Sequence, residues 1–232
     1  MQDYPIEISK TTLDTCRNAD GVVVVVDVLR AFTTAAYAFD RGAKEIVLVS
    51  TVEEAFQLRK RDPRCFLLGE VNGLPIEGFD LPNSPSAVEP LDLEMRRLIQ
   101  RTTAGTQGVV LATQADHLFV ASLSVASATS ECIKALSPAV VTFVETGVRA
   151  KGGGEEDVAC ADYISGLLLD APLDLADVEC RVRNSRAAAK FSNSENVDFP
   201  ETDLGHALKI DQFPFAMKVN REDGLLVLSS VH

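Results

Sequence analysis

The 232-residue sequence lacks several features that mark common classes of protein. It has no run of about 20 apolar residues, the length that a membrane-spanning helix needs, and its first residues lack the basic and apolar segments of a secretion signal. None of its five cysteines forms a C-x-x-C pair, the spacing typical of zinc and redox sites, so we expect reduced, mostly buried thiols. A soluble, cytoplasmic protein with no membrane partner is the expectation.

Basic residues are also scarce. The sequence has 22 Lys and Arg against 34 Asp and Glu, a formal net charge of −12. Nucleic-acid binding needs clustered Lys and Arg, so we expect no nucleic-acid partner. The same charge repels anions at long range, and an anionic substrate would therefore need a local basic pocket or a metal ion.

Familiar catalytic motifs are missing as well. The three histidines, His117, His206 and His232, share no metal-ligand spacing, and no serine lies in a G-x-S-x-G elbow. The glycine run at 152–154 lacks the Gly-Lys-Ser/Thr ending of a phosphate-binding P-loop. Zinc enzymes, serine hydrolases and P-loop proteins are therefore disfavoured.

What the sequence does contain is a series of short apolar runs that alternate with helix-like stretches. We predict strands at 22–26, 46–49, 66–68, 98–102, 118–120 and 139–144. We predict helices at 29–41, ending before Gly42, at 52–61, capped by Thr51, and at 124–136. This alternation predicts a three-layer α/β/α fold with a largely parallel sheet, in a single domain over residues 1–232.

The carboxyl-terminal third has a different pattern. Residues 174–210 look helical and polar, and apolar runs at 215–219 and 225–228 flank NREDG, a pattern typical of a hairpin. We interpret the final strand as a sheet edge, where a homodimer contact could form.

Polar side chains follow almost every predicted strand. In open α/β sheets ligands bind at the carboxyl ends of the strands, so these residues are the candidate site. Acids on separate loops, namely Asp27, Glu70 and either Glu156 or Asp157, could converge on Mg²⁺, which prefers oxygen ligands. Such a site would suit phosphate chemistry. The remaining candidates, which would bind anionic oxygens, are Arg30, Thr33, Thr34, Thr102, Thr103, Gly105 and Thr106.

Each candidate also has a purely structural interpretation. Asp27 could simply cap the helix that it precedes, with Arg30 as its solvated neighbour. Acids such as Glu156 and Asp157 are favoured at any helix start by the positive end of the helix dipole. Both interpretations remain open from the residues alone.

A dehalogenase-type phosphatase is a further alternative, because its first strand also ends in an aspartate. In that superfamily a second aspartate, the general acid, follows two residues later. Leu29 occupies that place here, so the leaving group would lack its proton donor.

Four segments in order, DVLRAFTT (27–34), GEVNGLPIEGFDLPNSPSAV (69–88), TTAGT (102–106) and EEDVACADYI (155–164), resemble the 2-phosphosulfolactate phosphatase family of coenzyme M biosynthesis. The resemblance implies an α/β fold distinct from dehalogenases and Mg²⁺-dependent hydrolysis of 2-phosphosulfolactate, a small anionic phosphorylated acid, to sulfolactate and phosphate. It implies roles in metal binding or water orientation for Asp27, Glu70, Glu156 and Asp157. It implies substrate binding by Arg30, Asn83, Ser84, Thr102, Thr103 and Thr106, and it assigns no nucleophile.

The sequence departs from the family pattern at three positions. Ala104 replaces an asparagine, Pro82 stands in place of a glycine, and Asp162 occupies a position where the pattern has glycine. Loss of a buried amide at position 104 would change substrate binding by about 1–3 kcal/mol. A phosphatase is the main hypothesis, with a small-anion-binding module or an acidic interaction scaffold as alternatives.

Overall fold

The computed structural model describes residues 6–150, 152–192 and 196–232. The strands are β1 Glu7–Thr11, β2 Gly21–Val26, β3 Glu45–Val49, β4 Phe66–Val71, β5 Leu74–Pro75, β6 Leu81–Pro82, β7 Arg97–Arg101, β8 Ala115–Ala121, β9 Val140–Glu145, β10 Ala216–Glu222 and β11 Leu225–Val231. The α-helices are α1 Ala31–Asp40, α2 Val52–Arg61, α3 Pro85–Val88, α4 Gly105–Leu111, α5 Ala126–Leu136, α6 Glu155–Leu168, α7 Leu175–Arg183 and α8 Glu201–Ala207.

One mixed sheet connects these strands in the order β1-β9-β2-β8-β10-β11-β3-β7-β4-β5, with β6 beside β4. β1, β9, β2 and β8 are mutually parallel neighbours, and so are β3, β7, β4 and β6. The predicted largely parallel sheet is therefore confirmed. The carboxyl-terminal hairpin β10–β11 separates the two parallel groups.

The position of this hairpin corrects the sequence interpretation, which placed the final strand at an edge. β11 pairs with β10 on one side and with β3 on the other, both antiparallel. Val227 and Leu228 are buried there, as expected for a strand with neighbours on both sides. The final strand therefore offers no free edge for a homodimer contact.

Insertion of the hairpin makes the two parallel groups run in opposite directions, yet their carboxyl ends meet. The Gln100 side chain in β7 donates to the Ala31 carbonyl at the start of α1, 3.0 Å away. Adjacent strands rotate by roughly 20–25°, and this twist, accumulated over the five steps from β2 to β7, offsets much of the reversal. Loops after β2, β4 and β7 thereby reach one site.

Helices cover both faces of the sheet, which confirms the three-layer prediction. Val23 and Val25 of β2 pack in one core with residues of α1, α3 and α4. Val22, Val24 and Val26 point to the opposite face and pack with α5, α6 and α7, because side chains alternate along a strand. The five-valine run is apolar because both of its faces are buried.

Several predicted helix ends are confirmed. Thr51 caps α2 by accepting from the Glu54 N–H at 3.1 Å, and Gly42 follows α1 with a φ of 93°. α1 begins two residues later than predicted, where the Asp27 carboxylate accepts from the Ala31 N–H at 2.9 Å. Helical structure is also found where it was predicted at 174–210: the described residues there include α7, α8 and a 3₁₀ helix, Ala188–Phe191. Among the described helices, none combines the length and apolar character needed to cross a membrane.

Candidate active site

A cavity of about 340 Å³ opens at the start of α1. Its walls come from the loops after β2, β4 and β7 and from the carboxyl-terminal segment around the 3₁₀ helix. Two acids, Asp27 and Glu70, and two cations, Arg30 and Lys190, line it. The cavity therefore brings together loops that are far apart in sequence, as the strand-end argument predicted.

Asp27 serves both as a helix cap and as part of the cavity wall. Its Oδ1 accepts the Ala31 N–H, and its Oδ2 lies 3.4 Å from the Thr146 hydroxyl. The pKa of Asp27 is raised to about 6, chiefly by burial and also by the nearby charge of Glu70, against the lowering effect of the Ala31 hydrogen bond. A carboxyl with this pKa can exchange a proton near neutral pH.

Glu156 and Asp157 lie in the first turn of α6, beside Asp27 but outside the cavity lining. Asp157 joins two loops: its Oδ1 accepts the Val28 N–H at 2.8 Å, and its Oδ2 accepts the Gly147 N–H at 2.7 Å. The Thr146 hydroxyl contacts both Asp157, at 3.3 Å, and Asp27. Asp27 and Asp157 are therefore bridged by a single hydroxyl.

The carboxyls of this group raise one another's pKa. The pKa of Glu156 is raised to about 7 and that of Asp157 well above its usual value, and burial is the largest cause for each. The charge of Asp27 contributes to both shifts. Glu156 Oε2 is buried and has no hydrogen-bond partner in the described part of the chain. An uncompensated cluster of this kind would be stabilised by a cation.

Glu70 is held by hydrogen bonds from two loops. It accepts the N–H of Gly73 in its own turn and the N–H of Thr103 after β7. The Thr103 hydroxyl donates to the same carboxylate at 2.9 Å. Glu70 thus joins the β4 and β7 loops at the cavity wall, and its oxygens are already hydrogen-bonded.

The structure does not form the three-acid metal site that the sequence suggested. No group of three or more His, Cys, Asp or Glu side chains within residues 6–150, 152–192 and 196–232 is arranged to hold a metal ion. Glu70 and Asp157 each accept backbone N–H groups, from Thr103 and from Val28 and Gly147. Mg²⁺ commonly binds one or two carboxylates together with water and substrate phosphate, so the oxygen donors present still fit that ion.

Arg30 is neither solvated nor free, in contrast to the structural interpretation of the sequence. Its Nη1 donates to Asp203 Oδ2 at 2.8 Å and to the Asp198 carbonyl at 2.9 Å, and its Nη2 donates to the Gly73 carbonyl at 3.1 Å. Its guanidinium carbon lies 5.4 Å from the ring centre of Phe191 and 4.9 Å from that of Phe199. The side chain is therefore fixed at the cavity wall.

Asn83 and Ser84 occupy different positions relative to the cavity. Asn83 lines it, and also lines an adjoining cavity of about 230 Å³, while its buried Oδ1 has no hydrogen-bond partner among the described residues. Ser84 lines only the adjoining cavity, and its hydroxyl donates to Asp203 at 2.9 Å. Asn83 therefore has polar atoms available for a ligand, whereas Ser84 holds the partner of Arg30.

Of the predicted anion-binding threonines, only Thr103 lines the cavity. Thr33 and Thr34 are completely buried, and their hydroxyls donate to the carbonyls of Val28 and Arg30. Thr102 and Thr106 hydrogen-bond to each other, since the Thr106 N–H donates to the Thr102 hydroxyl at 3.0 Å. These four residues shape the loops rather than the cavity surface.

Gly105 allows α4 to approach α1 closely. A Cβ at this position would lie 2.7 Å from the Ala31 Cβ and 2.9 Å from Asp27 Oδ2. The structure therefore gives Gly105 a positional role beside Asp27, and it is not among the residues that line the cavity.

The three departures from the family pattern have different positions. Ala104 lines the main cavity, and Pro82 lines the adjoining one. Asp162 lies away from both and forms ion pairs with Lys10 and Arg181. A change at position 104 is thus the one placed to alter the main cavity directly.

Sequence reasoning missed the carboxyl-terminal wall of the site. Lys190, Phe191 and Phe199 line the cavity, and Asp203 binds Arg30 behind it. The available signal was the two phenylalanines in an otherwise polar segment, because large aromatic side chains are usually buried. The sequence spacing could not show that these two rings line a cavity.

Comparisons with known proteins show the family of this chain. A family model described as 2-phosphosulpholactate phosphatase matches residues 8–220. The probable 2-phosphosulfolactate phosphatase of Bacillus subtilis (strain 168) is 38% identical over 204 residues, which cover 87% of each chain. Proteins with the same description from Carboxydothermus hydrogenoformans and Deinococcus radiodurans are each 38% identical, over 68% and 64% of this chain and 65% and 62% of their own lengths. The chain therefore belongs to the 2-phosphosulfolactate phosphatase family.

Proposed function

We propose that this protein hydrolyses 2-phosphosulfolactate to 3-sulfolactate and inorganic phosphate, with Mg²⁺ as cofactor. The observation that carries the proposal is a single cavity lined by the carboxyls Asp27 and Glu70 and by the cations Arg30 and Lys190. Family membership supports the choice of substrate.

The net charge of −12 repels an anionic substrate. The cations of the cavity, and a metal ion held by its carboxyls, would offset this repulsion locally. Arg30 supplies a fixed positive charge, and the unpartnered Asn83 side chain supplies polar atoms beside it. Asp27 and Glu70 at the wall are the carboxylates that would hold Mg²⁺, together with water and the substrate phosphate. When bound, Mg²⁺ would neutralise charge on the phosphoryl group and orient water.

Hydrolysis forms a bond between a water oxygen and phosphorus and breaks the ester P–O bond. One water proton remains on inorganic phosphate, and the other ends on the leaving alkoxide, giving the hydroxyl of sulfolactate. Solvent water in the cavity can deliver that second proton, because Asp27 would stay ionised while it holds Mg²⁺.

The test is phosphate release from a panel of small phosphorylated acids, measured with Mg²⁺, without it and with a chelator. We expect turnover of 2-phosphosulfolactate that chelation abolishes and added Mg²⁺ restores. Turnover that is indifferent to chelation would overturn the metal assignment. Binding of the acids without turnover in any condition would favour the anion-binding module instead.

Three narrower expectations stay predictions. They are a place in coenzyme M biosynthesis, a cytoplasmic location and a homodimer.

A further inference from the structure

The two cations of the cavity differ in how they are held. Arg30 is buried, and three of its five N–H donors already have protein partners. Lys190 is exposed, and no ion pair within the described parts of the chain involves it. Lys190 therefore keeps its ammonium donors available at the cavity, whereas most of the donors of Arg30 serve to fix its position.

Arg30 and Lys190 both lie near the ring of Phe199. The Phe199 ring centre lies 4.9 Å from the guanidinium carbon of Arg30 and 5.6 Å from the Lys190 Nζ. The two charges can therefore be no farther apart than the sum of these distances. Contact with one ring also limits the positions that the flexible lysine side chain adopts.

The charges that line the cavity are unevenly distributed, and Lys190 lies on a different chain segment from the carboxyls. The loop after β2 contributes the carboxyl of Asp27 and the end of β4 that of Glu70, so an anionic group would be repelled there unless a cation intervened. The carboxyl-terminal segment contributes Lys190, which meets an anion directly. A ligand with two or more anionic groups on neighbouring carbons can reach both parts of such a cavity.

We propose that Lys190 is a specificity-determining residue, which binds an anionic group of the substrate other than the phosphate, namely a sulfonate or carboxylate. This inference rests on the proposed phosphatase function and adds the reason for selecting a polyanionic acid over a simple phosphate ester. The phosphoryl group then lies toward Asp27 and Arg30, and the second anion lies toward Lys190.

The experiment compares Lys190→Gln, Lys190→Arg and the control Lys209→Gln. Lys209 is also exposed and also lies near an aromatic ring, with its Nζ 6.0 Å from the Tyr37 ring centre, but it lines neither cavity. The substrates are 2-phosphosulfolactate, 2-phospholactate, which lacks the sulfonate, and isopropyl phosphate, which lacks both extra anions. Comparing them separates recognition of the second anion from recognition of phosphate.

We expect Lys190→Gln to raise the KM for 2-phosphosulfolactate by roughly 2- to 5-fold with little change in kcat, because one exposed charge contact is lost. The KM for isopropyl phosphate should not change, Lys190→Arg should retain most of the affinity, and Lys209→Gln should behave like the wild type. A smaller effect on 2-phospholactate than on 2-phosphosulfolactate would assign the contact to the sulfonate, and an equal effect would assign it to the carboxylate.

Equal KM changes for all three esters, or none for any, would overturn the role of Lys190 while leaving the phosphatase function intact. If the wild type hydrolyses no ester, the proposed function fails, and calorimetric binding of sulfolactate still tests Lys190. Weaker binding to Lys190→Gln than to Lys209→Gln would then support the inference, and equal binding would contradict it.

Discussion

Arg30 Nη1 lies 2.8 Å from Asp203 Oδ2, and the two side chains are only 4% and 0% exposed. The other oxygen of Asp203 accepts from the Ser84 hydroxyl at 2.9 Å and from the Ser86 N–H at 3.0 Å. One carboxylate in α8 therefore fixes both the arginine at the cavity wall and the start of α3. The position of Arg30 depends on a residue 173 positions away in the chain.

This relationship predicts a strong coupling between the two residues. Asp203→Asn should lower the free energy of unfolding by about 3–5 kcal/mol, because a buried guanidinium loses its charge partner. Arg30→Met should also be destabilising, but the double variant should lose less than the sum of the two, since no charge is then left unpaired. Urea unfolding of the four proteins measures the coupling, and additive losses would contradict it.

The pKa of Glu156 predicts how stability depends on pH in the metal-free protein. The folded state holds this proton up to about pH 7, whereas the ordinary glutamate pKa is 4.5. Unfolding therefore releases a proton between these values, and the free energy of unfolding falls as pH rises through them. Glutamine cannot ionise, so Glu156→Gln removes this fall in stability. In chelator the variant should become more stable than the wild type, by roughly 3 kcal/mol above pH 7.

Thermal unfolding between pH 4.5 and 8 tests the expectation. The difference between Glu156→Gln and the wild type should be small at the acid end, grow toward pH 7 and then level off. Glu201→Gln, an exposed change in the first turn of α8, provides the control. A stability difference that does not vary with pH would show that Glu156 titrates normally.

Gly105→Ala should damage the site through its contact with Asp27. The added methyl would lie 2.9 Å from Asp27 Oδ2 and 2.7 Å from the Ala31 Cβ, so the start of α1 must shift. We expect kcat to fall by roughly tenfold or more, because small displacements of reacting groups are costly. The control is Gly205→Ala in α8, where a Cβ meets nothing within 4 Å. Equal activity of the two variants would show that Gly105 is not needed beside Asp27.

The interior position of β11 predicts that proline is tolerated at neither Leu226 nor Val227. Both residues pair with β3 on one side and with β10 on the other, so each N–H faces a neighbouring strand. In an edge strand alternate N–H groups face solvent, and one of two consecutive prolines would be accepted. Expression of Leu226→Pro and Val227→Pro as folded, soluble protein measures this. Normal folding of either variant would support an edge position.

Much of the fold follows from local patterns in the sequence. The valines of β2 predicted a strand buried on both faces, Thr51 predicted the start of α2, and Gly42 predicted the end of α1. These features depend on residues close together in the chain. The interior place of β11 depends instead on the gap between β8 and β3, which no local pattern records.

The site was predictable to a similar extent. Asp27 and Glu70 were identified because each follows a predicted strand, and both line the cavity. The buried threonines were misplaced because a hydroxyl that serves a helix start has the same sequence signature as one that binds an anion. Lys190 and Asp203 were missed because their roles depend on contacts made across the fold.

The central claim is that Mg²⁺-dependent phosphate release requires the Asp27 carboxylate. The most direct measurement is the rate of phosphate release as a function of Mg²⁺ concentration, for Asp27→Asn and for the wild type. Asparagine can still accept the Ala31 N–H, so the helix cap is retained while the charge is lost. The control is Asp116→Asn, an exposed aspartate at the amino end of β8, opposite the site. We predict a loss of roughly 100- to 10,000-fold for Asp27→Asn and none for Asp116→Asn. A folded Asp27→Asn protein with the wild-type rate and Mg²⁺ response would contradict the claim.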